Sequence, residues 1–250
     1  MKILNILKSI IPYPLHLPLI YHYLKFSGKL DADIFSLKDN VPTRIRAIDI
    51  GSNIGIYSYA LSKLFQNVES FEPIDLITDR LKAYSSIEDS ITIHNVGLSN
   101  KNEDKQFYIP VIPDTNILNF GLGSVIDPGG EREVFKVPFR CLDDYDFQSV
   151  GFIKIDTEGN ELDVIKGAVK TIIRELPVIF IEIEQRHLKE HDITDVFDSI
   201  LSLGYVGSYL HNSKKYPLKT FSYEHHQKPY LNDIYSKDYI NNFWFTPISK

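Results

Sequence analysis

From Arg46 onward, short apolar runs alternate with longer stretches in which apolar positions recur every three or four residues. The runs predict buried strands, and the longer periods predict helices laid across them. Strands are expected at residues 46–50, 68–71 and 91–95. Between them, residues 54–65 carry Ile56, Tyr59, Ala60 and Leu64 on one side, and residues 74–84 carry Leu76, Ile77, Leu81 and Tyr84. The alternation then breaks. Residues 106–112 and 134–139 read as strands on either side of a Gly/Pro/Asp-rich loop, 113–133, and predict an inserted hairpin. A loop of that length in a compact domain is expected to serve as a lid or binding loop. Strand 152–155 resumes the pattern. A helix is expected over 161–176, capped by Asn160, with Leu162, Ile165, Val169, Ile172 and Leu176 as its buried stripe. Gly167 inside it is explained by close packing on the sheet. Pro177, strand 178–183, helix 194–203 ended by Gly204, and strands 205–210 and 242–245 complete the chain, with a loop or hairpin between the last two. Strand and helix in this order predict a largely parallel sheet covered by helices.

The first 40 residues stand apart. Apolar residues are frequent in 1–26, but Pro12, Pro14 and Pro18 interrupt them and Lys2, Lys8, His16 and His22 lie among them. No apolar run is long enough to span a bilayer, and no small-residue cleavage site follows one, so neither a membrane span nor a secretory leader is expected. Ile3, Leu4, Leu7, Ile10 and Ile11 share a helical face. Two readings are open: a helix packed on the domain, or one lying on a membrane surface or covering the substrate site. The expected division is an N-terminal segment, 1–40, and a single α/β domain, 41–250.

Composition narrows the partners. The 250 residues are 43% hydrophobic, enough for one sizeable core. Against 33 acids there are 27 Lys and Arg, a net charge of −6. That balance argues against nucleic acid, which requires clustered cations. With one cysteine, Cys141, neither an intrachain disulfide nor a thiolate metal cluster can form, and a reducing, cytoplasmic setting is expected.

Three segments carry candidate chemistry. In the first, Asp49 ends a strand and Gly51, Ser52, Asn53, Ile54 and Gly55 lead into a helix. Open α/β sheets bind ligands at this edge. Dinucleotide turns use three glycines to seat a pyrophosphate; here Asn53 stands at the middle position, and Asp49 would repel phosphate while suiting a cationic ligand. In the second, Glu72 ends the next strand, 23 residues beyond Asp49, before Pro73. A carboxylate so placed can accept hydrogen bonds from both hydroxyls of a ribose. In the third, Asp156 and Glu158 leave the fourth parallel strand at the same edge. They can bind a substrate, take up a proton or hold a cation, or Glu158 and Glu161 can complement the following helix.

The segments AIDIGSNIGIYSYAL, VESFEPI and GFIKIDTEGNELDVIKGA, in this order and spacing, resemble the FkbM-type methyltransferases. The resemblance runs from about residue 44 to residue 250. It implies a Rossmann-like methyltransferase fold: a mostly parallel seven-stranded sheet with helices on both faces, the last strand antiparallel, plus the inserted hairpin. It implies S-adenosylmethionine as cofactor and methylation of oxygen, often a hydroxyl of a sugar or polyketide. By position, Asp49, Gly51, Asn53 and Gly55 would line the methionine part of the cofactor and Glu72 would hold the ribose. Asn95, Val96 and Gly97 would lie beside the adenine, and Asp156 near the methyl group. The chain departs from many relatives at Ser52, Gly97 and Thr157, where they carry alanine, alanine and valine.

The expected reaction is in-line displacement by a substrate oxygen, to which the protein contributes proximity and orientation. Asp156, Glu158 and His187 are the candidates for accepting the hydroxyl proton. No metal is assigned. The acceptor is expected to be a small molecule, a glycan or a lipid-linked saccharide. A nicotinamide-dependent oxidoreductase and a non-catalytic nucleoside-binding or scaffold protein are the competing readings.

Overall fold

The computed structural model describes residues 10–31, 33–188 and 190–248. The apolar face expected over Ile3, Leu4 and Leu7 lies outside the described residues. Strands β1 (Arg46–Ile50), β2 (Asn67–Phe71) and β3 (Ile91–His94) are followed by β4 (Gly97–Leu98), β5 (Glu103–Pro110) and β6 (Arg132–Arg140). Strands β7 (Val150–Ile155), β8 (Val178–Glu182), β9 (Tyr205–His211), β10 (Lys214–Pro217) and β11 (Asn242–Pro247) complete the set. The main sheet has eight strands in the order β10-β9-β11-β8-β7-β1-β2-β3, and β4-β6-β5 form a second, three-stranded sheet. The strands from β8 through β7, β1 and β2 to β3 are parallel, and β11 runs antiparallel to both β8 and β9. The antiparallel closing strand and the inserted hairpin are as expected. The eighth strand is not: β10 folds back antiparallel on β9 at the sheet edge.

Helices cover both faces. On one, α1 (His16–Phe26), α2 (Asp33–Asn40), α3 (Ile56–Ser62) and α4 (Asp79–Ser85) pack over Ala47, Val68, Phe152, Phe180 and Trp244. On the other, α5 (Glu161–Lys166), α6 (Val169–Glu175) and α7 (Ile193–Leu201) cover Ile48, Ile153, Ile179, Phe243 and Phe245. A short helix, α8 (Tyr223–His226), lies in the connection to β11. Within α1, Pro18 occupies the first turn, where its missing N–H has no intrahelical partner to lose. Leu17 and Ile20 of α1 are buried, and Asp33 of α2 accepts a hydrogen bond from the Trp244 indole at 2.7 Å. Ile10, Tyr13, Leu15 and Phe26 remain exposed. Among the described residues no helix is long and apolar enough to cross a membrane.

The expected helix over 161–176 is two helices with Gly167 between them. A Cβ on Gly167 would lie 2.0 Å from the Ser99 carbonyl oxygen, so the break is where the chain leaving β4 presses in. Asn160 stands at the N-cap position of α5, but its side chain makes no capping bond; its amide donates instead to the Leu98 carbonyl at 2.8 Å.

Candidate active site

Chain order reverses between β1 and β7: β2 and β3 continue on one side of β1, and the chain later returns to its other side. At such a switch the loops diverge and leave a crevice beyond the carboxyl ends of the strands. Here the crevice is a cleft with about 680 Å³ of atom-free space, its open mouth included. Gly51 and Asn53 form its floor, Glu72, Pro73 and Ile74 one wall, and Asp156, Thr157 and Glu158 the opposite side. The inserted hairpin closes it with Phe107, Ile109, Phe120, Val125 and Phe139.

The turn after β1 is shaped by its neighbour. Gly51 has φ +75°, and a Cβ there would lie 1.8 Å from the Asp156 carbonyl oxygen. Only glycine lets the chain ends after β1 and β7 approach so closely. Glu72 locks the same turn from the other side. Its Oε2 accepts the Asn53 N–H and its Oε1 the Ile74 N–H, each at 3.0 Å. Burial lifts its carboxyl to about 7, against the pull of those two donors.

The loop after β7 is held by Glu161. One of its oxygens accepts the Gly159 N–H at 3.0 Å and the Thr157 hydroxyl at 3.0 Å. With Glu161 so engaged, Glu158 takes a left-handed conformation, φ 52°. Its Oε2 lies 2.6 Å from His187 Nδ1, on the segment after β8. Burial raises the Glu158 carboxyl, opposed by His187. Burial lowers the His187 imidazole, but its hydrogen bond and charge interaction with Glu158 prevail and hold it above its usual value. Ser124, from the hairpin loop, donates to the Glu158 carbonyl at 2.7 Å and ties the loop to the site.

The structure therefore brings Gly51, Asn53, Glu72, Gly97, Asp156 and Glu158 to one cleft. His187 stands behind Glu158. Asp49, Gly55, Asn95 and Val96 do not line the cleft. Asp49 is fully buried beneath it, accepting from the Ser58 hydroxyl at 2.6 Å. Asn95 reaches the Glu72 carbonyl and the Thr78 hydroxyl, both at 3.4 Å, and Val96 packs against the core. A Cβ on Gly97 would lie 2.3 Å from the Phe139 ring, which occupies the space an alanine would take.

Sequence reasoning assigned no role to the hairpin's apolar wall or to Lys154. The alternation Phe107, Ile109 on β5 and Val137, Phe139 on β6 was a usable signal, since it gives the hairpin an inner apolar face. A charged residue inside the otherwise apolar β7 was another. Among the described residues, no three His, Cys, Asp or Glu side chains are grouped so that they could hold a metal ion.

The cleft fits an adenosyl donor in its chemistry. It combines an apolar slot between Ile74, Ile77 and Phe139, a buried carboxylate at the tip of β2, and acids rather than phosphate-binding groups around the glycine turn.

The methyltransferase FkbM domain family matches residues 49–206. No curated protein matches the chain. Among solved structures, methyltransferase FkbM from Methylobacillus flagellatus aligns at TM-score 0.51 and 17% identity, over 94% of this chain and 55% of that one. The chain thus spans about half the length of that protein. A Streptococcus mutans protein solved in complex with SAH aligns at TM-score 0.44 and 12% identity, over 86% and 96% of the two chains. A SAM-dependent O-methyltransferase from Thermotoga maritima aligns at 0.45 and 8% identity, over 96% and 73%.

Proposed function

The chain belongs to the FkbM methyltransferase family, and from that premise we propose that it is an S-adenosylmethionine-dependent O-methyltransferase acting on a hydroxyl of a sugar, glycan or lipid-linked saccharide. S-adenosylmethionine supplies an electrophilic methyl group when bound. The chain's own residues bind, orient and move a proton. Glu72 accepts hydrogen bonds from the ribose hydroxyls with the lone pairs its two backbone donors leave free. Ile74, Ile77 and Phe139 take the adenine, and Gly51 and Asn53 the methionine part. Asp49, buried beneath the turn, acts on the methionine part through its charge rather than by contact.

The observation that carries the catalytic reading is the Glu158–His187 contact behind Asp156 on the cleft wall. An alcohol must lose its proton as its oxygen attacks. Asp156 and Glu158 face the cleft where the acceptor would stand, and His187 can receive a proton passed through Glu158. Carboxylates in a partly apolar cleft also suit a polyhydroxylated acceptor, whose hydroxyls donate to them.

The exposed Ile10, Tyr13, Leu15 and Phe26 favour contact with a membrane surface through the N-terminal segment, and with it a lipid-linked acceptor. The net charge of −6 disfavours a nucleic-acid acceptor. The decisive experiment is a methyl-transfer screen with S-adenosylmethionine over free and lipid-linked saccharides, with products read by mass spectrometry. A product 14 mass units heavier at a saccharide hydroxyl is expected (one CH₂ added, from the stoichiometry of methyl transfer). Methylation found only at the nitrogen of amino sugars refutes the O-methyl assignment, and no product from any saccharide refutes the acceptor class.

A further inference from the structure

Beside its carboxylates, the carboxyl edge of the sheet holds a buried cation. Lys154 is the next-to-last residue of β7 and is 3% exposed. The other five residues of that strand are Val150, Gly151, Phe152, Ile153 and Ile155, all buried. An apolar side chain would suit the position, and a buried ammonium carries a desolvation cost unless partners compensate it. The partners are specific. Lys154 Nζ is 3.1 Å from Asp156 Oδ2 and 3.8 Å from Asp49 Oδ1, and it lies over the Tyr57 ring, 4.6 Å from its centre. Glu182 of β8 stands near enough on the next strand to raise the Lys154 ammonium, although burial pushes its own carboxyl well above its usual range. Tyr57 is fixed in turn by Asp31, to which its hydroxyl donates at 2.5 Å. One ammonium therefore serves acids from three adjacent strands, and one of them, Asp156, lines the cleft.

Methyl transfer moves CH₃ from a sulfonium to the acceptor oxygen; the S–C electron pair stays on sulfur and the acceptor's proton goes to a base. The donor site therefore faces a cation before the reaction and a neutral thioether after it. Uncompensated acids around the sulfonium would stabilise the starting state more than the transition state, in which that charge is already dispersing. Lys154 offsets part of this attraction from behind. We propose that Lys154, as the counter-ion shared by Asp49 and Asp156, sets how strongly the site prefers the cationic donor over its neutral product. The inference rests on the donor reading of the cleft given above.

Calorimetric titration of S-adenosylmethionine and S-adenosylhomocysteine into the parent, Lys154→Met and Lys154→Arg proteins tests it. The ratio of product Kd to donor Kd is expected to rise at least fivefold in Lys154→Met and to stay within twofold of the parent in Lys154→Arg. A ratio unchanged in Lys154→Met overturns the proposal, even if both affinities fall through a general loss of structure. If Lys154→Met does not fold, Asp49→Asn/Lys154→Met, which removes one charge of each sign, is compared with Asp49→Asn alone. A higher ratio in the double variant supports the proposal, and equal ratios overturn it. Failure of the parent to bind either nucleoside refutes the donor reading itself, a result distinct from binding with an unchanged ratio.

Discussion

Glu158 occupies a left-handed conformation that costs a non-glycine residue of order 1 kcal/mol, and it does so while turning its carboxylate to His187. The contact has a consequence for pH. The imidazole is held above its ordinary value of 6.5, with the Glu158 hydrogen bond and charge outweighing burial. If His187 is the final proton acceptor, it works only when neutral, so kcat/KM is expected to rise with pH along a limb centred above 6.5. In Glu158→Gln the main raising partner is gone, leaving burial and Arg186 to lower the imidazole and only Glu184 to raise it, so the limb should shift to lower pH. A pH–rate profile with the same limb in parent and variant removes His187 from the proton path. Which residues gather at one edge of the sheet was largely legible: the spacing of Asp49, Glu72 and Asp156 placed all three there. Which of them line the cleft was not. Strand alternation sends Asp49 to the same side of β1 as Ala47, towards the helices, while Ile50 lines the cleft.

At the scale of elements, strands that carry buried apolar runs could be read from the chain, and strands without them could not. β10 is Lys214, Lys215, Tyr216 and Pro217, all four exposed, and pairs through its backbone at an edge where no core selects its side chains. β4 is two residues long, too short for any period. The split of the 161–176 helix depends on Ser99, distant in sequence, and has no local signal except Gly167. The loop 113–133 was expected to act as a lid or binding loop; Phe120 and Val125 from it and Phe107, Ile109 and Phe139 from β5 and β6 line the cleft, and Ser124 ties the loop to Glu158. α2 carries a pH-dependent weakness. Burial, with Asp31 close by, lifts Asp33 from 3.8 to about 7, against the hydrogen bond from Trp244. A raised carboxyl contributes stability that is full below 3.8 and lost as pH rises through about 7. Asp33→Asn keeps an acceptor for the indole and removes the charge. It is expected to raise Tm relative to the parent, more at pH 8 than at pH 5. A gain equal at both values, or a loss at pH 8, shows that the carboxylate is not under this strain.

For the whole molecule, the division expected near residue 40 meets a structure in which α1 and α2 belong to one helical layer of the domain. Leu17 is fully buried and Trp244, in the central sheet, is tied to Asp33. A membrane-contact test that deletes residues 1–26 would strip part of the core. Replacing the exposed Tyr13, Leu15 and Phe26 with serine is the cleaner variant, because Leu17 and Ile20 stay in place. It is expected to reduce sedimentation with anionic liposomes several-fold while leaving donor affinity within twofold. Liposome binding equal to the parent's, or the absence of binding in the parent, contradicts the peripheral reading.

The central claim is that acids at the tips of adjacent strands, beside a glycine turn without phosphate-binding features, form a site for a cationic nucleoside. It is tested most directly by calorimetry at pH 8, above the value near 7 to which burial lifts Glu72. S-adenosylmethionine should bind the parent and bind Glu72→Ala at least tenfold more weakly, with no heat from NAD in either. Equal affinity for S-adenosylmethionine in parent and variant, or binding of NAD in its place, would contradict the account.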